Sequence, residues 1–569
     1  MNFLISQTAP RDPASRRYEK TLWANGWWVG GSHTGNSHIH CREGERIVVV
    51  SGSLFGPLSD MSRIVRENRE GLGRAADTSN GSFVMAMPRE GHVLLVTDAG
   101  GSIPVYYGWG PEGFALGTLV HHVATASGCT TVDTVSAADY LLNQTVCYPY
   151  SWYKDVRVAP PGSVCAFDAE KMKRHSYWRP TESADCYEPC DGRMWGGRLR
   201  ERVQEAIRSG LSRGAKGRVM YSGGADSRAI LSLVPDAFEC IPTTVLEGGK
   251  GHREYELARR SASWLGRELE WVARPNGHYR AAIPERIDTI GPGWDFRHTH
   301  IHGSVAEQFE DADVVFGGYL ADTLFKTHYM SNVEEGGPLQ GEQLLDPKPD
   351  VLGGVNMQSD VTALEREHVA AVRARRREHH ERLKEIRPRT AGNWHRLWPL
   401  GNLAAAQYLT CLRMDCRVVE PFLWSKTYRL AARLPDTCRV NRKAFRHAFA
   451  GEMGGAGYVM TASGRVPRFS GRGLIGTVAE VVARYARSWP AIKRKLITGD
   501  RGPQGPWPPD HSGWHPVRPS EHFSEEGEHV LLDRLSTILA DGQVERFFKD
   551  DSLDDDMRVR ALALAFDAP

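Results

Sequence analysis

The sequence predicts an α/β chain in two parts, a strand-rich first part followed by a parallel, doubly wound sheet. Three observations predict it. Up to about residue 180, apolar residues fall in short β-branched runs bounded by turn residues. From about residue 195 the apolar spacing becomes helical, and strands alternate with helices. Within that second part, Val219-Met220-Tyr221-Ser222-Gly223-Gly224-Ala225-Asp226-Ser227-Arg228 reads as a strand, a Gly-rich turn and a helix start.

Taken in order, Arg46–Val50 and His92–Thr97 are strands, with a further strand signal at Val105–Tyr107. Leu199, Val203 and Ile207 recur at helical spacing. Arg218–Tyr221 is a strand that leads into the Gly-rich turn, and Ala229, Ile230, Leu231 and Leu233 give the following helix its apolar face. Cys240–Val245 is the next strand, Glu254–Leu265 a helix, Leu269–Val272 a strand and Val314–Phe316 a short buried strand. Residues 362–387 form a charged helix with Arg373, Arg375, Arg376 and Arg377 clustered. It reads either as a solvated face or as a docking surface for an acidic partner or peptide. Residues 501–519, dense in Gly, Pro and Trp, read as an irregular loop or lid. There are no internal repeats.

At 569 residues the chain has room for two or more domains. A net charge of +2 gives no reason to expect a general nucleic-acid binder. There is no apolar run of transmembrane length, and Met1–Ser6 lacks the form of a signal peptide, so a cytoplasmic location is expected. The ten cysteines are scattered. Cys186/Cys190 and Cys411/Cys416 are close pairs without zinc spacing, so free buried thiols are expected. In that location the Asn-x-Ser/Thr sites at Asn80 and Asn143 carry no meaning.

The Gly-rich turn has the chemistry of an anion site. Backbone N–H groups at a helix start and the helix dipole both favour phosphate. Gly223 and Gly224 allow close approach, Ser222 and Ser227 add hydroxyls, and Asp226 offers a carboxylate to Mg²⁺. No Walker-type Gly-Lys-Ser/Thr loop is present. Arg228 is read as a phosphate or substrate contact, or as a surface arginine. His298, His300 and His302 share one face if they lie on a strand, which would suit a metal or a general base.

The Ser-Gly-Gly-x-Asp-Ser string resembles the pyrophosphate loop of ATP pyrophosphatases, and nearly the whole chain resembles class II asparagine synthetases. In the first half Asp98-Ala99-Gly100-Gly101-Ser102-Ile103-Pro104-Val105-Tyr106-Tyr107 is similar to the family's Asp-Arg-x-Gly-x-x-Pro-Leu-Tyr-Tyr turn. Pro160-Pro161-Gly162 followed by Tyr177-Trp178 is similar to the elements that close that domain. In the second half Gly317–Phe325 resembles Ser-Gly-Glu-Gly-Ser-Asp-Glu-x-Phe, and Arg417–Leu423 resembles Ala-Arg-Val-Pro-Phe-Leu-Asp. Lys443-Ala444-Phe445-Arg446 resembles the Lys-x-x-Leu-Arg helix. The resemblance implies a degenerate glutamine-amidotransferase-like α+β sandwich domain over residues 1–185. Over residues 195–569 it implies an ATP pyrophosphatase domain of the adenine nucleotide α-hydrolase type.

The departures from the family shape the expected function. Glutaminase activity in the family needs an N-terminal cysteine, and here Met1-Asn2 stands instead, so no ammonia is expected from glutamine. A family acidic residue falls on Tyr319 and a second on Thr323, while Asp322 is retained as a second Mg²⁺ ligand beside Asp226. The loop that carries the family's catalytic lysine is Arg465–Ser470 here and has none. Arg465 or Arg468 would stabilise developing negative charge but would not serve as acid or base. By the same resemblance Val245 lines the adenosine site and Glu254 matches an acidic residue after that strand.

Without glutaminase the amine must come from elsewhere, as it does in lasso peptide cyclases. The expected function is therefore ATP- and Mg²⁺-dependent adenylation of an Asp or Glu side chain of a precursor peptide, followed by macrolactam closure on its N-terminal amine. The implied partners are the precursor peptide, a leader-peptide-binding protein and a leader peptidase, with no nucleic acid and no membrane span. An asparagine or β-lactam synthetase-like enzyme on a small substrate, and a non-catalytic ATP-binding homologue, stay open as alternatives.

Overall fold

A computed structural model of the chain describes residues 2–10, 20–31, 38–42, 46–211, 215–246, 253–275, 303–327, 333–335, 342–344, 364–403, 416–469, 525–540 and 543–548, with single positions between them. The loop expected at 501–519 and the histidines at 298, 300 and 302 lie outside the described residues.

The first part holds twelve strands among the described residues. They are β1 (Phe3–Ser6), β2 (Lys20–Ala24), β3 (Trp27–Gly31), β4 (His38–Arg42), β5 (Arg46–Phe55) and β6 (Asn80–Arg89), then β7 (His92–Thr97), β8 (Tyr106–Gly110), β9 (Gly113–Gly117), β10 (Val156–Val158), β11 (Ser163–Phe167) and β12 (Met172–Ser176). One sheet runs β10-β8-β9-β1-β3-β2 and the other β12-β11-β7-β6-β5-β4, antiparallel throughout. Strand alternation builds the layers. Val49, Val84, Ala86, Val93 and Leu95 point between the sheets, where Phe3, Phe114 and Phe167 meet them. Their neighbours Val48, Val50, Met85, Leu94 and Val96 point outward under helix α1 (Arg69–Thr78), against Leu72, Ala75 and Ala76. The other sheet is covered by α2 (Val120–Ser127) and α3 (Thr134–Asn143). Both faces of the sheets are thus buried, which is why the strands read as near-continuous apolar runs. Asn68 and Asp133 cap α1 and α3 through their side chains.

The second part opens with α4 (Gly192–Gly210), whose Leu199, Val203 and Ile207 are buried as the spacing predicts. Its sheet is parallel, with order β15-β14-β13-β16-β19, from β13 (Gly217–Met220), β14 (Cys240–Leu246), β15 (Glu270–Ala273), β16 (Val314–Phe316) and β19 (Val418–Val419). A small hairpin pairs β17 (Val333–Glu335) with β18 (Glu342–Leu344). Helices α5 (Ala225–Leu233) and α6 (Arg253–Trp264) follow β13 and β14. Strand order turns at β13, which lies between β14 and β16, and ligands gather at the carboxyl end of such a switch point.

The two parts are packed into each other. Ser425 Oγ donates to Gly81 O, Lys426 N to Asn80 Oδ1, and Leu400 N to Gly100 O. Phe55 stacks on Trp424 with centroids 5.0 Å apart. On the charged helix, α8 (Arg366–Lys384), Arg377 is exposed, as a solvated face requires, whereas Arg375 and Arg376 turn inward to acid partners. Arg375 pairs with Asp133 at 2.7 Å and Arg376 with Asp139 at 2.7 Å, both on or capping α3. The cysteine expectation needs a correction as well. Cys190 and Cys438 are joined in a disulfide. They lie 248 residues apart, so no local spacing could have announced the pair. Cys129, Cys147, Cys165, Cys240 and Cys416 are buried free thiols, as expected. Among the described residues no helix is long and apolar enough to cross a membrane.

Candidate functional site

Strand β13 ends at Met220 and α5 starts at Ala225, so Tyr221–Gly224 form the turn. Gly223 holds φ +68, and a Cβ there would sit 2.7 Å from Ala258 Cα on α6, so both backbone and space demand glycine. The Ser222 side chain is exposed, and its Oγ accepts from Gly224 N at 3.3 Å. Ser227 is buried and donates to Gly224 O at 3.2 Å.

The turn opens on a cavity of ≈ 230 Å³. It is lined by Gly224, Asp226, Asp322, Lys326, Arg442 and Arg446, with Arg465, Thr461 and Ser463 on one wall. Four cations therefore face two carboxylates, a balance that suits a polyanion. Asp322 is on α7 (Ala321–Phe325), which follows β16 after the Gly317–Leu320 turn, and Arg446 is on α9 (Lys443–Phe449). Left-handed residues frame both walls: Leu320 at φ 61 before α7, and Asn441 at φ 54 with Arg442 at φ 55 before α9. Non-glycine residues take that conformation at a cost of about 1–3 kcal/mol and concentrate at functional sites. Burial pushes the Asp226 carboxyl up from the ordinary carboxylate range; the Lys326 ammonium opposes the rise and the Asp322 charge adds to it.

Asp226, Asp322, Gly224 and Arg465 are thus brought together in one cavity. The remaining candidates lie elsewhere. Arg468 turns to the Ala450 carbonyl and lies over the Tyr458 ring. Tyr319 is half-buried, and its backbone N–H donates to Glu420 Oε2 at 2.9 Å. Val245 and Glu254 lie outside the cavity lining, on β14 and α6, and burial raises the Glu254 carboxyl to about 7 against the pull of Arg274. Arg228 is neither a phosphate contact nor a surface residue. It is fully buried and donates to the carbonyls of Ala456, Val459 and Met460, which anchors the segment leading to Thr461, Ser463 and Arg465. Burial lowers its guanidinium to about 10.

Four polar cavity residues escaped the sequence reading: Lys326, Arg442, Thr461 and Ser463. Lys326 lies four residues after Asp322 and Arg442 four before Arg446, so helical spacing from the recognised positions was the available signal. Glu420 lies within the Arg417–Leu423 string, which did not single it out. This carboxylate is buried at the end of β19, and burial pushes it up to about 8. A Cβ on Gly317 would sit 1.9 Å from Glu420 Oε1, so the glycine makes room for the acid.

The donors present fit a magnesium nucleotide. Mg²⁺ is commonly held by one or two carboxylates plus substrate phosphates, and Asp226 and Asp322 supply two. Among the described residues no group of three or more His, Cys, Asp or Glu is placed to hold a metal ion, so these two carboxylates would need the phosphates to complete a site. In the first part, Asn2 is buried and its Oδ1 accepts from Thr118 Oγ1 at 3.2 Å.

Residues 50–178 match a family model described as a glutamine amidotransferase domain. That region runs from within β5 to just past β12, so it takes in most of the second sheet and the helices α1–α3. No curated protein matches the chain. Among solved structures the chain is similar to glutamine phosphoribosylpyrophosphate amidotransferase from B. subtilis complexed with ADP and GMP, at 8% identity and a TM-score of 0.22. That match covers 38% of this chain and 60% of the other, less than two thirds of its length. A second similarity, to the allosteric regulatory enzyme of purine biosynthesis, has 8% identity and a TM-score of 0.20, over 44% and 67% of the two chains. At these TM-scores neither structure bears on the activity.

Proposed function

We propose that the chain is an ATP-dependent, AMP-forming amide ligase of the asparagine synthetase-like kind, acting as a lasso peptide cyclase. The observation that carries the reading is the Gly-rich turn opening on a cavity with two carboxylates and four cations. At ≈ 230 Å³ that cavity gives room for phosphates rather than a whole nucleotide, and Val245 and Glu254 are assigned to the adenosine end beyond it.

In the proposed reaction an Asp or Glu side-chain carboxylate of a precursor peptide attacks the α-phosphorus of ATP. The bond to the β-phosphate oxygen breaks and pyrophosphate leaves. The peptide's N-terminal amine then attacks the acyl carbon, loses a proton, and AMP departs as the macrolactam forms. Ser222, Gly223, Gly224 and Ser227 are assigned to the phosphates. Mg²⁺, held by Asp226 and Asp322, supplies charge neutralisation on the leaving pyrophosphate. Arg465 stabilises charge on the adenylate, and Arg468 supports its loop. The Tyr319 backbone N–H, bonded to Glu420 Oε2, holds the segment that leads from β16 to Asp322. Positioning and fixed charge carry this chemistry, as in other phosphoryl transfers. A leader-binding protein and a leader peptidase would deliver the peptide.

The amine donor tests the reading. A peptide with a free N-terminus and an internal Asp or Glu is expected to lose one water, with AMP and pyrophosphate formed alongside. Acetylating its N-terminus should stop ring closure while adenylation persists, because the carboxylate is untouched. Asparagine formed at a substantial rate from aspartate and ammonium would replace the cyclase reading with a small-substrate one.

A further inference from the structure

Lys326 is the one lysine among the four cations of the cavity lining. It caps the C-terminus of α7 and is 6% exposed. Its ammonium group bonds Asp226 Oδ1, and its Nζ lies 4.3 Å from the centroid of the Phe445 ring. An ammonium between a carboxylate and an aromatic face is well held without further donors. The same carboxylate is one of only two in the cavity lining that could take a divalent cation.

These facts set up a competition. A divalent ion at Asp226 and an ammonium at the same carboxylate repel each other at contact distance in a partly desolvated cleft. The repulsion is relieved only by an added anion. A phosphate chain supplies it, giving the metal further oxygen ligands and the ammonium a new partner. The neighbouring Arg442, Arg446 and Arg465 keep that space cationic until then.

We propose that Lys326 is a phosphate-binding residue that rests on Asp226 until nucleotide arrives, and so keeps a free divalent cation out and makes metal and nucleotide bind together. This rests on reading the cavity as a nucleotide-phosphate site. Both ligands gain from the exchange, so the coupling is reciprocal: whatever factor the nucleotide adds to metal affinity, the metal adds to nucleotide affinity. The lysine thereby guards against a metal-filled cleft that lacks its substrate.

The test measures Mn²⁺ binding to the full chain by electron paramagnetic resonance of the free ion, with and without α,β-methylene-ATP. The wild type is expected to bind Mn²⁺ at least about tenfold more tightly when the analogue is present. Lys326→Met should bind Mn²⁺ alone at least about tenfold more tightly than the wild type, and should bind the analogue more weakly. Lys326→Arg, which keeps the charge, should still exclude Mn²⁺. A folded Lys326→Met protein whose affinity for Mn²⁺ alone is unchanged would overturn the proposal. So would a wild type whose Mn²⁺ affinity is the same with and without the analogue, whatever the variants do. A wild type that binds no nucleotide at all would remove the functional reading itself, and this inference with it.

Discussion

Glu420 is one residue past β19, at the carboxyl edge of the parallel sheet, and its nearest charged neighbour is Arg413. That guanidinium is buried too, pushed down to about 10, and donates to Ser82 Oγ at 2.7 Å and Ser102 O at 3.3 Å in the first part. Burial outweighs the arginine, so Glu420 titrates near 8 instead of 4.5. The folded state then binds a proton that the unfolded chain releases above about 4.5. This contribution is present at low pH and is lost as pH rises from about 4.5 to 8. Glu420→Gln mimics the protonated form. Its stability is expected to fall less than that of the wild type between pH 5 and 8, by on the order of 1–4 kcal/mol, read from denaturant midpoints at each pH. Equal slopes for the two proteins would contradict this account of Glu420. The Arg417–Leu423 string contains the residue but not the cause of its state, which is burial against Gly317 and Tyr319, about a hundred residues earlier in the chain.

The turn between β13 and α5 was legible because everything it needs is contiguous: a strand, two glycines and a helix start. Val314–Phe316 was legible for the same reason. The role of α8 was not. Its arginines read as a surface cluster, since their partners, Asp133 and Asp139, lie more than 230 residues away. Arg228 was misread likewise, because the carbonyls it holds are 228 or more residues further on. Arg376 and Asp139 are almost fully buried, so losing one leaves the other's charge buried without its counter-ion. Arg376→Met should destabilise the protein by about 3–5 kcal/mol. Adding Asp139→Asn should recover most of that. The amide still accepts from Cys147 N, as Asp139 Oδ2 does now at 2.8 Å, and Asn143 Oδ1, buried without a partner, can turn to accept from it. A double variant no more stable than the single one would show that the ion pair is not what joins α8 to α3.

The sandwich, the parallel sheet and the C-terminal helix pack as one object. Leu531 and Leu535 of α10 (Glu525–Ser536) join Val369 and Val372 of α8 on the same core as α2 and α3. Each such side chain contributes about 1.5–3 kcal/mol when fully buried, so the amidotransferase-like part is a structural member of the whole. The cavity draws on segments that begin at residues 224, 322, 442 and 461, and only the complete fold brings them together. From α4 to β16 the order of strands and helices was readable from apolar spacing, whereas most strands of the first part and the convergence of those four segments were not, because they depend on how the sheets stack. The central claim is that this cavity drives AMP-forming activation of a carboxylate. Its most direct test is release of AMP and pyrophosphate from ATP and Mg²⁺, with synthetic peptides carrying a free N-terminal amine and one internal Asp or Glu. The full chain should release the two in equal amounts only when peptide is present, and Asp226→Asn, with its melting temperature checked, should lower the rate at least about 100-fold. Formation of ADP and phosphate instead, or an Asp226→Asn protein as fast as the wild type, would contradict it.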